Sequence, residues 1–202
     1  MSYSQNCEEE HIARIVGSQP GRFLEIGAYN PKLFSNTRAL FEAGWSGVMV
    51  EASPGPFMDL LIEYGNCDRI KLVCAAVTVS SARSAFVKFY HSEAGVGTSN
   101  EAHYQKWRDK TAFDGTFYAA SLDIHDLIFS EFGRDYDFVN IDVEGESADL
   151  FLKALQYDLF PKCYCVEHDG RQAELAAAAL KYGYETRHVN GENIILEKTS
   201  GE

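Results

Sequence analysis

Two glutamates at the ends of short apolar segments are the first residues whose positions suggest chemistry. Glu25 lies in RFLEIG, just before Gly27, and Glu51 ends the segment GVMVE. A carboxylate at such a place can accept hydrogen bonds from both hydroxyls of a ribose, or from an ammonium group. Taken alone, either acid is as readily explained as a solvated side chain as it is by a role in binding. Together, each at the end of its own segment, they favour a nucleoside-binding site.

The turn between these acids has a glycine pattern that narrows the type of nucleoside. A dinucleotide site requires GxGxxG after its first strand, whereas this turn offers only Gly27, and GxxxxGK[ST] does not occur in the sequence. An NAD(P)-dependent oxidoreductase is therefore a less favoured alternative. S-adenosylmethionine fits better, because it joins a nucleoside to an amino acid through a cationic sulfonium and has no pyrophosphate.

A second group of polar residues follows later apolar segments. Asp142 and Glu144 come after FVNI and are two residues apart, so they project to one side if the strand continues. Methyl transfer is an in-line displacement that requires an oriented acceptor and, for a hydroxyl, a base. We predict Asp142, His168 and Glu144 as catalytic candidates, since imidazole accepts a proton near neutral pH. Alternatively, Asp142 braces the next turn and Glu144 stabilises a helix N-terminus.

The same acids could hold a divalent metal together with Glu167, His168 and Asp169. Oxygen-rich sites suit magnesium or manganese. No ligand spacing in the sequence requires a metal, so a divalent ion is allowed but not required, and no metal ligand is assigned. The five cysteines are scattered and contain no CxxC pair, which argues against a zinc site.

Alternating apolar and amphipathic stretches must position these residues. Apolar runs predict strands at 22–27, 47–51, 70–77, 85–90, 136–143 and 163–167, and a closing hairpin of 184–189 with 193–198. The 70–77 run reads as a strand buried on both faces. Helical spacing predicts helices near 12–16, 33–43, 54–64, 124–128, 148–155 and 175–182.

This alternation predicts an α/β fold with a doubly wound, mostly parallel seven-stranded sheet, helices on both faces and a C-terminal antiparallel hairpin. Residues 1–202 form one predicted domain, with an N-terminal helix in 1–20 and an insertion at 78–119 near the acceptor site. The insertion carries a basic cluster, Lys106, Arg108 and Lys110, that either attracts an acidic acceptor or is a solvated face.

The charge balance indicates which classes of partner the protein is suited to bind. Lys and Arg number 18 and Asp and Glu 30, giving a formal net charge of −12. Nucleic-acid backbones and anionic membranes require clustered cations, so we predict neither as a partner. The N-terminal sequence MSYSQNCEEEH has acids where a secretory signal has bases and an apolar run. We therefore expect a cytoplasmic protein.

Several motifs in order resemble the FkbM family of S-adenosylmethionine-dependent methyltransferases, over about residues 20–198. They are LEIGA, SNT, WSGVMVEASP, AAV, SLD, FVNIDVEG, CVEH and NIIL, of which IDVEG is the most specific. The sequence departs from the family at Tyr29, where Asn is usual, and at Asn30-Pro31, where an acid and a glycine are usual. The loop after the first strand is therefore expected to take a different path around the methionine end of the cofactor.

The resemblance implies a class I methyltransferase fold with S-adenosylmethionine as cofactor. Combined with the strand-end positions, it gives the following predicted cofactor-binding residues: Glu25, Gly27, Ala28, Tyr29, Asn30, Ser35, Asn36, Thr37, Glu51, Ala52, Ala75, Ala76 and Asp142. The predicted reaction is O-methylation of a small molecule or a sugar hydroxyl. A catalytically silent S-adenosylmethionine-binding or scaffold protein is the alternative, and the altered loop at 29–31 favours it.

Overall fold

The computed structural model describes residues 2–79, 84–92 and 94–199, which contain ten strands and seven helices. The strands are β1 Arg22–Ile26, β2 Ser46–Glu51, β3 Ile70–Cys74, β4 Ala76–Thr78, β5 Phe86–His91, β6 Gly115–Asp123, β7 Phe138–Ile141, β8 Cys163–Glu167, β9 Tyr184–Val189 and β10 Asn193–Lys198. The helices are α1 Glu8–Val16, α2 Arg38–Glu42, α3 Pro54–Tyr64, α4 Glu101–Trp107, α5 Ile124–Ile128, α6 Ser147–Gln156 and α7 Gln172–Lys181.

Seven strands form the main sheet in the order β3-β2-β1-β7-β8-β10-β9. The strands β3, β2, β1, β7 and β8 are parallel, whereas β10 is antiparallel to both β8 and β9. The predicted fold class, with its C-terminal antiparallel hairpin, is confirmed. Strand order reverses between β1 and β7, and ligands of open α/β sheets bind outside the carboxyl ends of the strands at such a point.

Both faces of the sheet are covered by apolar side chains, as a parallel sheet requires. On β1, Leu24 and Ile26 pack into the core on one face, while Phe23 points to the core on the other. Glu25 shares the face of Phe23 because side chains alternate along a strand. The sequence thus buries one carboxylate inside an otherwise apolar layer, at the end of the sheet where a ligand is expected.

The run at 70–77 is not one strand, contrary to the prediction. The chain leaves the main sheet at Ala75, whose backbone N–H donates to the Glu51 carbonyl (3.1 Å). β4 then pairs in parallel with β6 in a second, three-stranded sheet of order β4-β6-β5. β3 is therefore an edge strand, and its Lys71 and Cys74 are exposed, not buried on both faces. Apolar composition alone did not reveal this change of sheet.

The helix predicted at 33–43 is also shorter in the structure, where only α2 forms. Phe34 has a left-handed backbone (φ 60°), which an α-helix excludes. The Ser35 hydroxyl accepts the Arg38 backbone N–H (3.1 Å), and the Thr37 hydroxyl donates to Glu25 (2.6 Å). Ser and Thr commonly compete with helix formation by such local bonds.

The insertion folds as β5, α4 and β6, apart from residues 80–83 and 93, which lie outside the described ranges. β5 and β6 pair antiparallel, and β6 was not predicted as a strand. Asn100 caps α4 by accepting the backbone N–H of His103 (3.0 Å). The ring of Tyr104 stacks on Tyr90 with centroids 4.1 Å apart, which fixes α4 against β5. Among the described residues, none of the helices has both the length and the apolar character needed to cross a membrane.

A buried glutamate ties the N-terminal segment to the C-terminal hairpin. Glu8 accepts the Asn6 backbone N–H (2.8 Å) and the side-chain amides of Asn190 (2.7 Å) and Asn193 (2.9 Å). Burial alone would raise the pKa of Glu8, but these hydrogen bonds outweigh it and the net pKa is lowered. The carboxylate form therefore stabilises the fold.

We expect Glu8→Gln to lower the free energy of unfolding at pH 7 by about 2 kcal/mol, because hydrogen bonds to a charged acceptor are lost. A lowered folded-state pKa gives stability that is present above the unfolded pKa and lost as pH falls through the folded value. The difference between wild type and variant should therefore narrow below pH 4.5, as measured by urea unfolding at several pH values. A difference that stays constant with pH would contradict this role for Glu8.

Candidate functional site

A cavity of about 300 Å³ opens at the carboxyl ends of β1, β2, β7 and β8. This volume is at the lower end of what small-molecule ligand sites show. Ten of the residues predicted from the sequence line it: Glu25, Gly27, Ala28, Tyr29, Glu51, Ala52, Ala75, Ala76, Asp142 and Glu144. The structure therefore brings the two strand-end glutamates and the later acids together at the reversal of strand order.

Glu51 ends β2 and is 8% exposed. Its two carboxylate oxygens accept the backbone N–H groups of Ser53 (2.6 Å) and Tyr29 (2.9 Å). Burial raises the pKa of Glu51, and the backbone hydrogen bonds oppose that rise. Each carboxylate oxygen has a second lone pair, so the group can still accept hydroxyl hydrogen bonds from a ligand in the cavity.

Glu25 lies deeper and is 2% exposed. Burial raises its pKa to about 8, the hydrogen bond from Thr37 lowers it, and the charges of Asp142 and Glu51 raise it further. A cation bound in the cavity would favour the ionised form of Glu25. The amino group or sulfonium of S-adenosylmethionine is such a cation.

Gly27 forms the turn between these acids. Its backbone has φ +86°, and its N–H and that of Ala28 both donate to the Val50 carbonyl (2.9 and 3.1 Å). A Cβ at Gly27 would lie 1.6 Å from the Asp142 carbonyl oxygen. The end of β1 therefore approaches the chain after β7 more closely than any side chain permits.

Four predicted cofactor-binding residues do not line the cavity. Asn30 instead stabilises its own turn by accepting the backbone N–H groups of Lys32 (3.0 Å) and Leu33 (2.9 Å). Ser35, Asn36 and Thr37 are buried behind the cavity wall, where Thr37 holds Glu25 and Asn36 donates to Asn140 (3.0 Å). These side chains position lining residues and do not face the ligand space.

His168 does not line the cavity either, although it was predicted as a catalytic base. It is buried, its Nδ1 accepts the Gly170 backbone N–H (3.0 Å), and its Nε2 lies 3.1 Å from the Asn190 carbonyl oxygen. Both ring nitrogens are thus used in a turn beside the hairpin, which leaves neither directed at the cavity.

Asp142 and Glu144 face the cavity beside Glu167. Glu167 accepts the Glu144 backbone N–H (3.1 Å) and the Ser147 hydroxyl (2.7 Å). Withdrawal from water raises the pKa of Asp142 to about 8, and the neighbouring charge of Glu144 adds to the rise. Asp142 lines the cavity and His168 does not, so Asp142 remains the better placed of these two predicted bases.

Some lining residues were not predicted as part of a site. Asn140 precedes Asp142 by two residues on β7, and its polar side chain in an apolar strand was a signal that could have identified it. Gln5 reaches the cavity from the N-terminal segment and His103 reaches it from α4, and only the packing of distant segments brings these two to the site. Trp107 of α4 also lines the cavity; from the sequence alone, the aromatics of the insertion suit either a pocket lining or a small core.

No protein-family model matches the chain, and no curated protein matches it either. Several solved structures resemble this chain in fold. Sp1610 of Streptococcus pneumoniae, to which tRNA (m1A22) methylation is ascribed, is 13% identical with a TM-score of 0.51, covering 98% of this chain and 72% of its own. M. capricolum TrmK, solved with S-adenosylhomocysteine, is 10% identical with a TM-score of 0.51, covering 97% and 70%. The METTL16 methyltransferase domain is 15% identical with a TM-score of 0.55, covering 97% and 67%.

These likenesses establish the fold of this chain as that of class I S-adenosylmethionine-dependent methyltransferases. They overturn two predictions, the small-molecule or sugar hydroxyl as acceptor and the exclusion of nucleic acid as partner, because the neighbours with this fold include proteins to which tRNA and RNA methylation are ascribed. The total charge of −12 misled the second prediction. Contact with a phosphate backbone depends on the local potential, since charges beyond about 8 Å are largely screened at physiological salt.

Proposed function

We propose that this chain transfers a methyl group from S-adenosylmethionine to an RNA acceptor. The observation that carries the cofactor part is the position of Glu51, a buried carboxylate at the end of β2 that lines the cavity beside the Gly27 turn. Carboxylates there suit the two ribose hydroxyls, while Glu25 and Asp142 offer negative charge to a sulfonium. The complex of TrmK with the cofactor product supports the same choice of cofactor.

The basic cluster on and after α4 supports an RNA acceptor. Lys106, Arg108 and Lys110 are exposed, and they surround Trp107, a half-buried residue that lines the cavity. The ammonium groups of Lys106 and Lys110 lie 5.5 and 4.9 Å from the centre of the Trp107 ring. An aromatic ring for base stacking with cations for phosphates beside it is the usual arrangement for single-stranded nucleic acid.

In this arrangement the reaction needs little covalent chemistry from the protein. The cofactor, when bound, supplies the methyl group. The acids of the cavity hold it, and Trp107 with its basic neighbours holds the acceptor, so that the reacting atoms are brought into line. Asp142 is the candidate to take up the proton that the acceptor loses. Membership of the FkbM family and a cytoplasmic location stay proposals that rest on the motifs and the N-terminal composition.

The direct test is transfer of radioactive methyl groups from S-adenosylmethionine to RNA. We expect the purified protein to label an RNA pool, and the label to be released by ribonuclease. Absence of labelling in every RNA fraction, together with retained cofactor binding, would contradict the RNA acceptor but not the cofactor.

The double substitution Lys106→Ala with Lys110→Ala should weaken RNA binding and leave cofactor binding unchanged. Two phosphate contacts are lost, so the slope of log affinity against log salt should fall by about two. Electrophoretic mobility shifts at several salt concentrations measure this. The matched control is Lys71→Ala with Lys181→Ala, which removes two exposed lysines that do not line the cavity. An equal loss in the control pair would show a general charge effect and contradict a binding site at α4.

A further inference from the structure

Three carboxylates meet at the side of the cavity formed by β7 and β8. Asp142, Glu144 and Glu167 each offer one oxygen, and these three oxygens all lie within 4.8 Å of one another. Like charges this close repel one another, so the cluster is destabilised as three free carboxylates.

A histidine on another element is directed into this cluster. The side chain of His103 on α4 is 4% exposed, and its Nε2 lies 3.1 Å from a Glu144 carboxylate oxygen. Within the described part of the chain this nitrogen makes no hydrogen bond of acceptable geometry. Its Nδ1 lies 3.9 Å from Asp169, whose other carboxylate oxygen is buried and also without a hydrogen-bond partner among the described residues.

This combination of groups is what a cation requires. Buried polar atoms are normally hydrogen-bonded, so a ring nitrogen whose contact with Glu144 lacks hydrogen-bond geometry, and an Asp169 oxygen without a partner among the described residues, indicate a missing ligand beside three acids. A divalent cation would contact the three acid oxygens and offset their repulsion together.

We infer that Asp142, Glu144 and Glu167 form a binding site for a divalent cation, with His103 directed toward it from α4. Carboxylate oxygens are hard ligands and select magnesium or manganese, and a nearby imidazole favours manganese of these two. Ligand oxygens bind Mg²⁺ at about 2.1 Å, so opposite ligands stand about 4.2 Å apart and adjacent ligands about 3.0 Å apart. With a mutual spacing of no more than 4.8 Å, the three carboxylate oxygens lie near enough for one ion to contact them all once the side chains draw together.

The site goes beyond the proposed function and does not depend on it, although the two share Asp142: with a cation bound, Asp142 is its ligand and not the proton acceptor. The cation would lie at the side of the cavity formed by the ends of β7 and β8, where it could bind a phosphate or hydroxyl oxygen. Cation binding can be measured without cofactor or RNA, so failure of this inference and failure of the methyltransferase proposal are separate results.

The test is a titration of the metal-free full chain with Mn²⁺, followed by electron paramagnetic resonance of the free ion. We expect one saturable site, and affinity roughly 100-fold weaker or more in Asp142→Asn with Glu167→Gln, since ligand loss exceeds the effect of losing an outer-shell partner. The control pair is Asp109→Asn with Glu131→Gln, two exposed acids away from the cavity that give the same change of charge. It should bind Mn²⁺ as the wild type does.

A second measurement does not depend on the folding of these variants. In the wild-type protein, bound Mn²⁺ should broaden the amide NMR signals of Val143 and Gly145 at substoichiometric metal, and affect far less that of Gly183, which lies near the amino end of β8 and away from the cavity. His103→Gln should lower Mn²⁺ affinity more than Mg²⁺ affinity. No saturable binding by the wild type, broadening elsewhere, or equal binding by the Asp142/Glu167 variant and its control would overturn the site.

Discussion

Glu51→Ala is expected to weaken S-adenosylmethionine binding at least about 100-fold, because two hydrogen bonds from ribose hydroxyls to a carboxylate are lost and each is worth about 1.5–3 kcal/mol. The carboxylate is well suited to this role because the backbone N–H groups of Tyr29 and Ser53 hold it in place. Its orientation is fixed before a ligand arrives, so little ordering cost opposes binding.

Isothermal titration with S-adenosylmethionine and S-adenosylhomocysteine measures the loss. Glu51→Gln should be intermediate, since an amide keeps one acceptor oxygen but lacks the charge. The control is Glu131→Ala, an exposed acid that does not line the cavity. Thermal unfolding must accompany the titration, because Glu51 also holds two loops. Unchanged affinity in a folded Glu51→Ala protein would remove the observation on which the proposed cofactor rests.

Acid should weaken cofactor binding in the wild type for a related reason. Burial raises the pKa values of Glu25 and Glu51, so both lose their charge at a higher pH than free glutamate does. A cationic ligand binds the ionised forms and must draw these protons off as it binds. We therefore expect the affinity of the cavity for a cationic ligand to fall as the pH falls, whether the amino group or the sulfonium is the cation that these acids face.

The main sheet could be predicted from the sequence because its strands are local features. Apolar runs such as FVNI and CYCVE are short, flanked by turn residues and separated by helical patterns, so their alternation identifies the fold class. The second sheet could not be predicted in this way. β6 reads GTFYAASLD, with an exposed Tyr118, and it becomes a strand only by pairing with β4 and β5.

The residues of the candidate site likewise fall into those that local sequence features predict and those that only tertiary packing brings to the cavity. Glu25, Glu51 and Asp142 could be predicted because the carboxyl ends of parallel strands meet at one edge of a sheet. His103 could not, since it reaches the cavity only after Tyr104 on the same helix stacks on Tyr90 of β5. His168 was wrongly predicted as a catalytic base. It directly follows β8 at the edge of the sheet where the site lies, but both of its ring nitrogens contact the backbone of neighbouring turns.

Net charge was a poor guide to the partner because it does not say where the charges lie. Glu25, Glu51, Asp142, Glu144 and Glu167 all line one cavity, where they suit cations. The basic residues around Trp107 lie outside it and are exposed. Each of these two surfaces has its own sign and its own candidate ligand, whatever the total charge.

Gly27→Ala is expected to destabilise the fold by about 4 kcal/mol or more. Few single substitutions cost this much, and here backbone strain and steric overlap act together. The backbone at Gly27 has φ +86°, which costs an L-residue roughly 1–2 kcal/mol. In addition, the new Cβ would lie 1.6 Å from the Asp142 carbonyl oxygen, a backbone atom that no side-chain rotation can move away.

Gly17→Ala separates the two causes. Gly17 has a similar φ of +79°, but a Cβ there meets nothing within 4 Å, so this variant carries the backbone strain alone. Because Gly17 combines this φ with ψ −171°, a region that L-residues rarely adopt, urea unfolding should show a loss of roughly 1–3 kcal/mol for Gly17→Ala and a clearly larger loss for Gly27→Ala. Any folded Gly27→Ala protein should bind S-adenosylmethionine poorly, because relief of the overlap forces the ends of β1 and β7 apart at the cavity. Equal losses in the two variants would mean that β1 and the residue after β7 are not in this close contact, and that the cavity does not depend on it.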